Sequence, residues 1–145
     1  MEKLIDNILV EFKINEKEIK NYSMLSLAFL GDSIHSLYIR NYLITKANFK
    51  VKELHSMATK YVKAKSQSIV IENLNDLTLE EEQIVKTARN SKTNNIAKNS
   101  TIKDYKNATA FEALLGYLAL NKNYERLNKI LKKSVEITEK SSITN

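Results

Sequence analysis

Apolar residues recur at helical spacing along most of the chain. Leu27, Leu30, Ile34 and Tyr38 form one stripe with a period near 3.6 residues, and Ser23 precedes it as a potential N-cap. Similar patterns predict helices over roughly 3–12, 23–45, 51–64, 66–73, 78–89, 101–120 and 123–138, with a turn at 16–21. The pattern therefore predicts about seven helices and no strands.

Polar residues predict where these helices begin and end. Thr78 and Glu81 have the spacing of a capping box, which marks a helix start. The stretch RNSKTNNIAKN, residues 89–99, is almost without apolar side chains and rich in Asn and Ser, so it is expected to be a basic surface loop. The last residues, 139–145, are expected to fray. Because no repeat or linker interrupts the pattern, residues 1–145 are predicted to form one all-α domain.

Composition supports this fold class and excludes several chemistries. The 145 residues include no proline and only two glycines, too few for a turn-rich β fold. The chain has no cysteine, which excludes disulfides, thiolate zinc sites and cysteine nucleophiles. It shows neither a membrane-spanning apolar run nor a signal-like N-terminus, so a cytoplasmic location is expected.

Two carboxylates stand out because each lies in one of the two most hydrophobic segments. Asp32 follows Gly31 in LAFLGDSIHSLYIR, and Glu112 precedes Gly116 by four positions in ATAFEALLGYLAL. An ionised carboxylate among apolar groups needs a partner or a metal, or its pKa changes. Each acid alone could be a structural partner for a lysine or a backbone amide. Together they could converge on one hard cation such as Mg²⁺, while the glycines permit close approach of backbone or ligand.

The basic charge is concentrated in two segments. The net charge is +6, and residues 86–106 contain six basic side chains against one acidic side chain. Residues 50–65 contain five lysines against one glutamate. This clustering favours a polyanionic partner such as nucleic acid over a general contribution to solubility.

The segments with the two acids also carry a family resemblance. LAFLGDSIHSLYIR resembles the signature helix of the ribonuclease III family, and ATAFEALLGYL resembles its second catalytic helix. The sequences AKSQ and RNSKTNNIAKN, and the end of the chain soon after the last helix, are more similar to the short branch of the family, Mini-ribonuclease III. The resemblance extends from about Ser23 to Leu131.

This resemblance implies an all-helical, homodimeric, Mg²⁺-dependent endonuclease for double-stranded RNA. Asp32 and Glu112 match the family's catalytic metal ligands, and no residues remain for the separate RNA-binding domain of longer enzymes. The larger enzymes carry a glutamate where this chain has Ala28, and an aspartate where it has Thr109. The short branch tolerates sites with fewer acidic residues, so activity is still expected. The number of metal ions per site stays open.

The basic segments are then expected to bind the RNA duplex, which proteins contact mainly at phosphates and 2′-hydroxyls. The candidate RNA-binding residues are Lys65, Arg89, Asn90, Lys92 and Lys98. The alternative is a solvated loop without a ligand.

One aromatic residue is a candidate for subunit contact. Phe29 matches the family's dimer knob, an aromatic side chain inserted into the partner subunit. Ordinary core packing within one chain is the alternative. A two-fold dimer would place two single-cut sites symmetrically, one for each RNA strand.

By resemblance, the substrate is a stem in precursor ribosomal RNA of the large subunit (23S), which a ribosomal protein could present. A catalytically silent RNA-binding or ribosome-associated helical protein is the main alternative. A histidine–aspartate phosphodiesterase would need more histidines than the two present, and a four-helix di-iron protein would need Glu-x-x-His pairs. His35, one turn from Asp32, is expected to be a helix-surface residue rather than a catalytic base.

Overall fold

The computed structural model describes residues 2–91 and 101–144, and these ranges are helical with short connections. The helices are α1 (Glu2–Glu11), α2 (Glu16–Ile19), α3 (Met24–Lys46), α4 (Val51–Val62), α5 (Ala64–Glu72), α6 (Leu79–Arg89), α7 (Ile102–Leu120) and α8 (Tyr124–Thr144). The predicted all-α class is confirmed: the described ranges contain the seven longer helices that were expected, and α2 forms where a turn was predicted. No helix in the two described ranges is long and apolar enough to cross a membrane.

Helix α7 lies at the centre of the fold. Its side chains from Asn107 to Phe111 and from Ala113 to Gly116 are buried, and α3, α5 and α6 pack around it. A helix that is apolar around most of its circumference must be covered on all sides. The apolar character of this segment therefore places Glu112 in the protein interior, next to α3.

The two glycines allow α3 and α7 to touch through their backbones. A Cβ atom on Gly31 would lie 1.7 Å from the carbonyl oxygen of Glu112, and one on Gly116 would lie 2.1 Å from the carbonyl oxygen of Leu27. Any larger residue would push the helices apart, since backbone atoms cannot move aside. The expected close approach at both glycines is confirmed, and it brings the two acidic segments together.

The predicted caps are present. The Thr78 side chain accepts from the Glu81 amide, and the Glu81 carboxylate accepts from the Thr78 amide at 3.0 Å. The same buried carboxylate accepts three hydrogen bonds from Arg126 of α8, whose guanidinium also contacts Asp76. This network joins the start of α6 to α8.

Helix α8 continues to Thr144, through most of the residues 139–145 that the sequence predicts to fray. The Glu139 carboxylate accepts hydrogen bonds from the phenols of Tyr42 and Tyr61 and from Lys46. Thr138 is buried next to this cluster. These contacts hold the end of α8 against α3 and α4 and explain why the helix persists.

Candidate active site

Asp32 and Glu112 lie side by side where α3 crosses α7. Asp32 is exposed, whereas Glu112 is largely buried, and their carboxyl groups are hydrogen-bonded to each other. None of the ion pairs found among the described residues involves either acid. The structure therefore brings the two predicted acids together and does not pair each one with its own lysine.

The pKa of Glu112 reflects this arrangement. The pKa of Glu112 is raised to about 9, first by burial and then by the hydrogen bond to Asp32 and its negative charge, while the Gln67 amide acts in the opposite direction. Near neutral pH, Glu112 in the metal-free protein is protonated and donates to Asp32. Two adjacent carboxyl groups that share one proton can exchange it for a cation placed between them.

Behind Glu112 lies a buried polar pair that the sequence reasoning did not find. The Gln67 side-chain amide of α5 lies 3.0 Å from His35 Nδ1, and both side chains are almost fully buried. The His35 ring also packs edge-on against Phe111, with ring centroids 5.0 Å apart. Burial lowers the pKa of His35 to about 4 although the charge of Asp32 opposes this, so the ring is neutral near pH 7.

The expected surface position of His35 is therefore wrong. Leu27, Gly31, His35 and Ile39 form a row at four-residue spacing, and all four are buried against the core. This row was the available signal in the sequence. Gln67 gave a weaker signal: it lies three and four positions before Val70 and Ile71, which are buried on α5, but it is flanked by two serines.

The donor set fits a hard divalent cation. Carboxylate oxygens are the ligands that Mg²⁺ prefers, and one or two carboxylates with water and substrate phosphate often suffice. No group of three or more His, Cys, Asp or Glu side chains suited to a metal occurs among residues 2–91 and 101–144. The Thr109 hydroxyl donates to the Tyr105 carbonyl of its own helix at 3.0 Å and brings no third carboxylate. Asp32 and Glu112 are thus the two side chains available.

The predicted RNA-binding residues are found in two places. Arg89 and Asn90 end α6, and Arg89 Nε donates to Asn107 Oδ1 of α7 at 2.7 Å. Lys65 is exposed in the first turn of α5, two positions before Gln67. Lys92 and Lys98 lie outside the described residues.

Lys65 belongs to a wider basic surface. Lys60, Lys63 and Lys65 border an open pocket of about 330 Å³ between the α4–α5 junction and the end of α8. No carboxylate lines this pocket. The surface therefore presents positive charge on the helix that also carries Gln67.

Phe29 is 85% exposed on α3, three positions before Asp32. This side chain is therefore not packed into the core of its own chain. Such a large exposed aromatic residue is available for contact with another molecule.

A helical fold in which paired carboxylates of two crossing helices meet near basic surfaces is suited to a metal-dependent nuclease. The ribonuclease III domain family matches residues 25–123 of the chain. A protein called Mini-ribonuclease 3 from Thermoanaerobacter sp. (strain X514) is 43% identical over 141 residues, covering 96% of this chain and 99% of the relative. The Mini-ribonuclease 3 of Brevibacillus brevis is 45% identical over 119 residues, covering 81% of this chain and 89% of the relative.

A solved structure is also similar. The crystal structure of a protein from Fusobacterium nucleatum superposes with a TM-score of 0.75 at 38% identity, covering 82% of this chain and 96% of the other. The chain belongs to the ribonuclease III family. It is a double-strand-specific endoribonuclease of that type, as the resemblance of its two acidic helices implied.

Proposed function

We propose that this protein is a Mg²⁺-dependent endoribonuclease that uses Asp32 and Glu112 as its metal ligands and matures a stem of the 23S ribosomal RNA precursor in the cytoplasm. The observation that carries the metal assignment is the contact between the two carboxyl groups, which come from helices about 80 residues apart in the sequence. The relatives named Mini-ribonuclease 3 support the class of substrate.

The two carboxyl groups have different proposed roles because Asp32 is exposed and Glu112 is largely buried. Asp32 is accessible to solvent, so it is the carboxyl group that a cation and the RNA would reach first. Glu112 is shielded and its pKa is raised, so it would have to lose its proton in order to hold the cation. When bound, Mg²⁺ supplies Lewis-acid activation of the phosphodiester and of water. No side chain has to act as the nucleophile, and the neutral, buried His35 is not placed to serve as a general base.

The basic residues supply the contacts with the duplex. Lys65 of α5 and Arg89 of α6 belong to helices that flank α7 and therefore lie on elements adjoining Glu112. Asn107 holds the Arg89 guanidinium through Nε, and Asn107 in turn donates to Ser68 of α5 at 2.9 Å. An arginine held in this way can present its remaining N–H groups to a phosphate at little entropic cost. Asn90, Lys92 and Lys98 complete the proposed RNA-binding set.

A homodimer accounts for the cutting of two strands. Phe29 is proposed to insert into the partner subunit, so that two copies place two acidic sites on opposite strands of one duplex. Its exposure on α3, near Asp32 in the sequence, supports this role. A ribosomal protein is proposed to present the RNA stem to this dimer.

The decisive experiment is a cleavage gel with duplex RNA, single-stranded RNA and duplex DNA, each with and without Mg²⁺. We expect cleavage of duplex RNA alone and only with Mg²⁺. Asp32→Asn and Glu112→Gln are expected to abolish cleavage while RNA binding persists. If both variants cut normally, the metal ligands are assigned wrongly. If the unchanged protein binds duplex RNA but never cuts it, the silent RNA-binding alternative replaces the nuclease.

A further inference from the structure

Gln67 is an unusual residue to find inside the fold. Its side chain is 2% exposed, in a helix that contributes Ser66 and Ser68 to the same interior. A buried amide costs free energy unless it is hydrogen-bonded, so its partners show what holds it in place. The hydrogen-bond partner is His35 Nδ1, 3.0 Å from the amide nitrogen, and the amide also lies near the Glu112 carboxyl group, whose pKa it lowers.

The His35 ring dictates which way the Gln67 amide faces. The ring is packed between α3 and Phe111 and cannot swing out to solvent. The amide nitrogen of Gln67 lies opposite Nδ1 at 3.0 Å, and in the neutral tautomer that carries its proton on Nε2, the Nδ1 atom accepts a hydrogen bond from this nitrogen. The amide nitrogen carries two hydrogens. One is directed to His35, and the other is left for Glu112.

A donor in this position favours a carboxylate that is ionised and fixed in orientation. Metal-binding carboxylates are commonly held by hydrogen bonds from residues that do not touch the metal. We propose that Gln67 is a positioning residue, whose amide, oriented by His35, holds the Glu112 carboxylate toward Asp32 and ready to bind a divalent cation. This inference rests on the proposed function, since it assigns Gln67 and His35 to the same metal site.

The first test replaces Gln67 with an apolar side chain of similar length. Mg²⁺ binding to metal-free protein is measured by calorimetry, and duplex RNA binding is measured separately in EDTA. In Gln67→Met the Mg²⁺ affinity is expected to fall at least about tenfold, with unchanged RNA affinity in EDTA. A residue that only fills space would lower the melting temperature without affecting the Mg²⁺ affinity selectively.

His35 offers a matched pair of variants. In His35→Asn the side-chain oxygen can occupy the place of Nδ1 and accept from Gln67, whereas His35→Leu removes the acceptor. Asparagine is expected to retain most of the Mg²⁺ affinity that leucine loses. If Gln67→Met does not fold because it leaves His35 unpaired, the double variant Gln67→Met/His35→Leu replaces it, since removing both partners is much less costly than removing one.

The outcomes separate this inference from the proposed function. If the unchanged protein binds no Mg²⁺ and cuts no duplex RNA, the proposed function fails. If it binds and cuts, while Gln67→Met and His35→Leu both match its Mg²⁺ affinity, only the positioning role is overturned. A loss in Gln67→Met that is absent in His35→Leu would assign the role to Gln67 without His35 and would contradict the proposal as stated.

Discussion

Gly31 of α3 packs directly against the backbone of Glu112 in α7, so closely that a Cβ atom at position 31 would lie 1.7 Å from the Glu112 carbonyl oxygen. The proposed metal site and the helix crossing therefore depend on the same close packing. Gly31→Ala is expected to destabilise the protein by at least about 3 kcal/mol, because neither backbone can move aside. Urea unfolding measures this loss. Ser33→Ala, on the exposed face two positions away, is the control and is expected to change the stability by less than about 0.5 kcal/mol. Equal effects of the two substitutions would contradict the close packing.

The raised pKa of Glu112 predicts that the carboxyl group proposed to bind metal lowers the stability of the metal-free protein at neutral and higher pH. The carboxyl group has a pKa of about 9 in the folded, metal-free protein and an ordinary value of 4.5 in the unfolded chain. Between these values the unfolded chain loses this proton first, so rising pH reduces the free energy of unfolding.

The neutral variant Glu112→Gln removes this penalty. In EDTA at pH 8 it is expected to melt several degrees higher than the unchanged protein, and the difference should shrink at pH 5. Mg²⁺ should raise the melting temperature of the unchanged protein at pH 8 and leave that of Glu112→Gln where it was. A variant that melts lower at both pH values would show that Glu112 is not a destabilising group.

The convergence of Asp32 and Glu112 was predictable because each acid interrupts an apolar helix beside a glycine. Two other features were not predictable in this way. His35 was assigned to the wrong face because the apolar stripe through Leu30 and Ile34 concealed a second buried row. Gln67 was missed because the serines on either side obscure its helical spacing to Val70 and Ile71, and because burial of a polar side chain depends on where α5 packs against α7. Periodicity shows which residues share a face, but not which polar residues are buried by tertiary contacts.

The hydrogen-bonded Glu139 cluster predicts a second, opposite pH dependence. Burial disfavours the ionised carboxylate, but hydrogen bonds from Tyr42, Tyr61 and Lys46 outweigh it and lower the pKa of Glu139. A lowered folded pKa contributes stability above the unfolded value, and this contribution is lost as the pH falls through the folded value.

Glu139→Gln tests this prediction at the end of α8. The side chain is 40% exposed, so the expected loss at pH 7 is only about 1 kcal/mol. The difference from the unchanged protein should disappear in melts well below pH 4. Glu136→Gln, an exposed change on the same helix, is the control. If the loss of stability in Glu139→Gln is the same at every pH in this range, it is caused by altered packing and not by the charge of Glu139.

The basic surfaces predict a salt-dependent affinity for duplex RNA. Binding through phosphates releases counterions, so the affinity falls steeply as salt rises. Lys65→Gln and Arg89→Gln should each weaken binding and reduce the slope of log affinity against log salt by about 1. Lys122→Gln is the control, since Lys122 lies beyond the far end of α7, roughly 20 Å along the helix axis from the Arg89 contact. A salt slope unchanged in the first two variants would exclude these residues from the interface.

The exposure of Phe29 allows a direct test of the proposed homodimer. Because this side chain is 85% exposed in the single chain, Phe29→Ala should leave the folding of each protomer intact. Removal of the Phe29 ring should convert the proposed dimer to a monomer at micromolar concentration, since buried aromatic anchors dominate the energy of such contacts. Light scattering coupled to gel filtration measures the mass. Leu79→Ala removes an equally exposed apolar residue, 86% exposed at the start of α6, and should leave the mass unchanged. If Phe29→Ala keeps the dimer, the subunits meet through another surface, and the placement of two cuts on one duplex has to be derived from that surface instead.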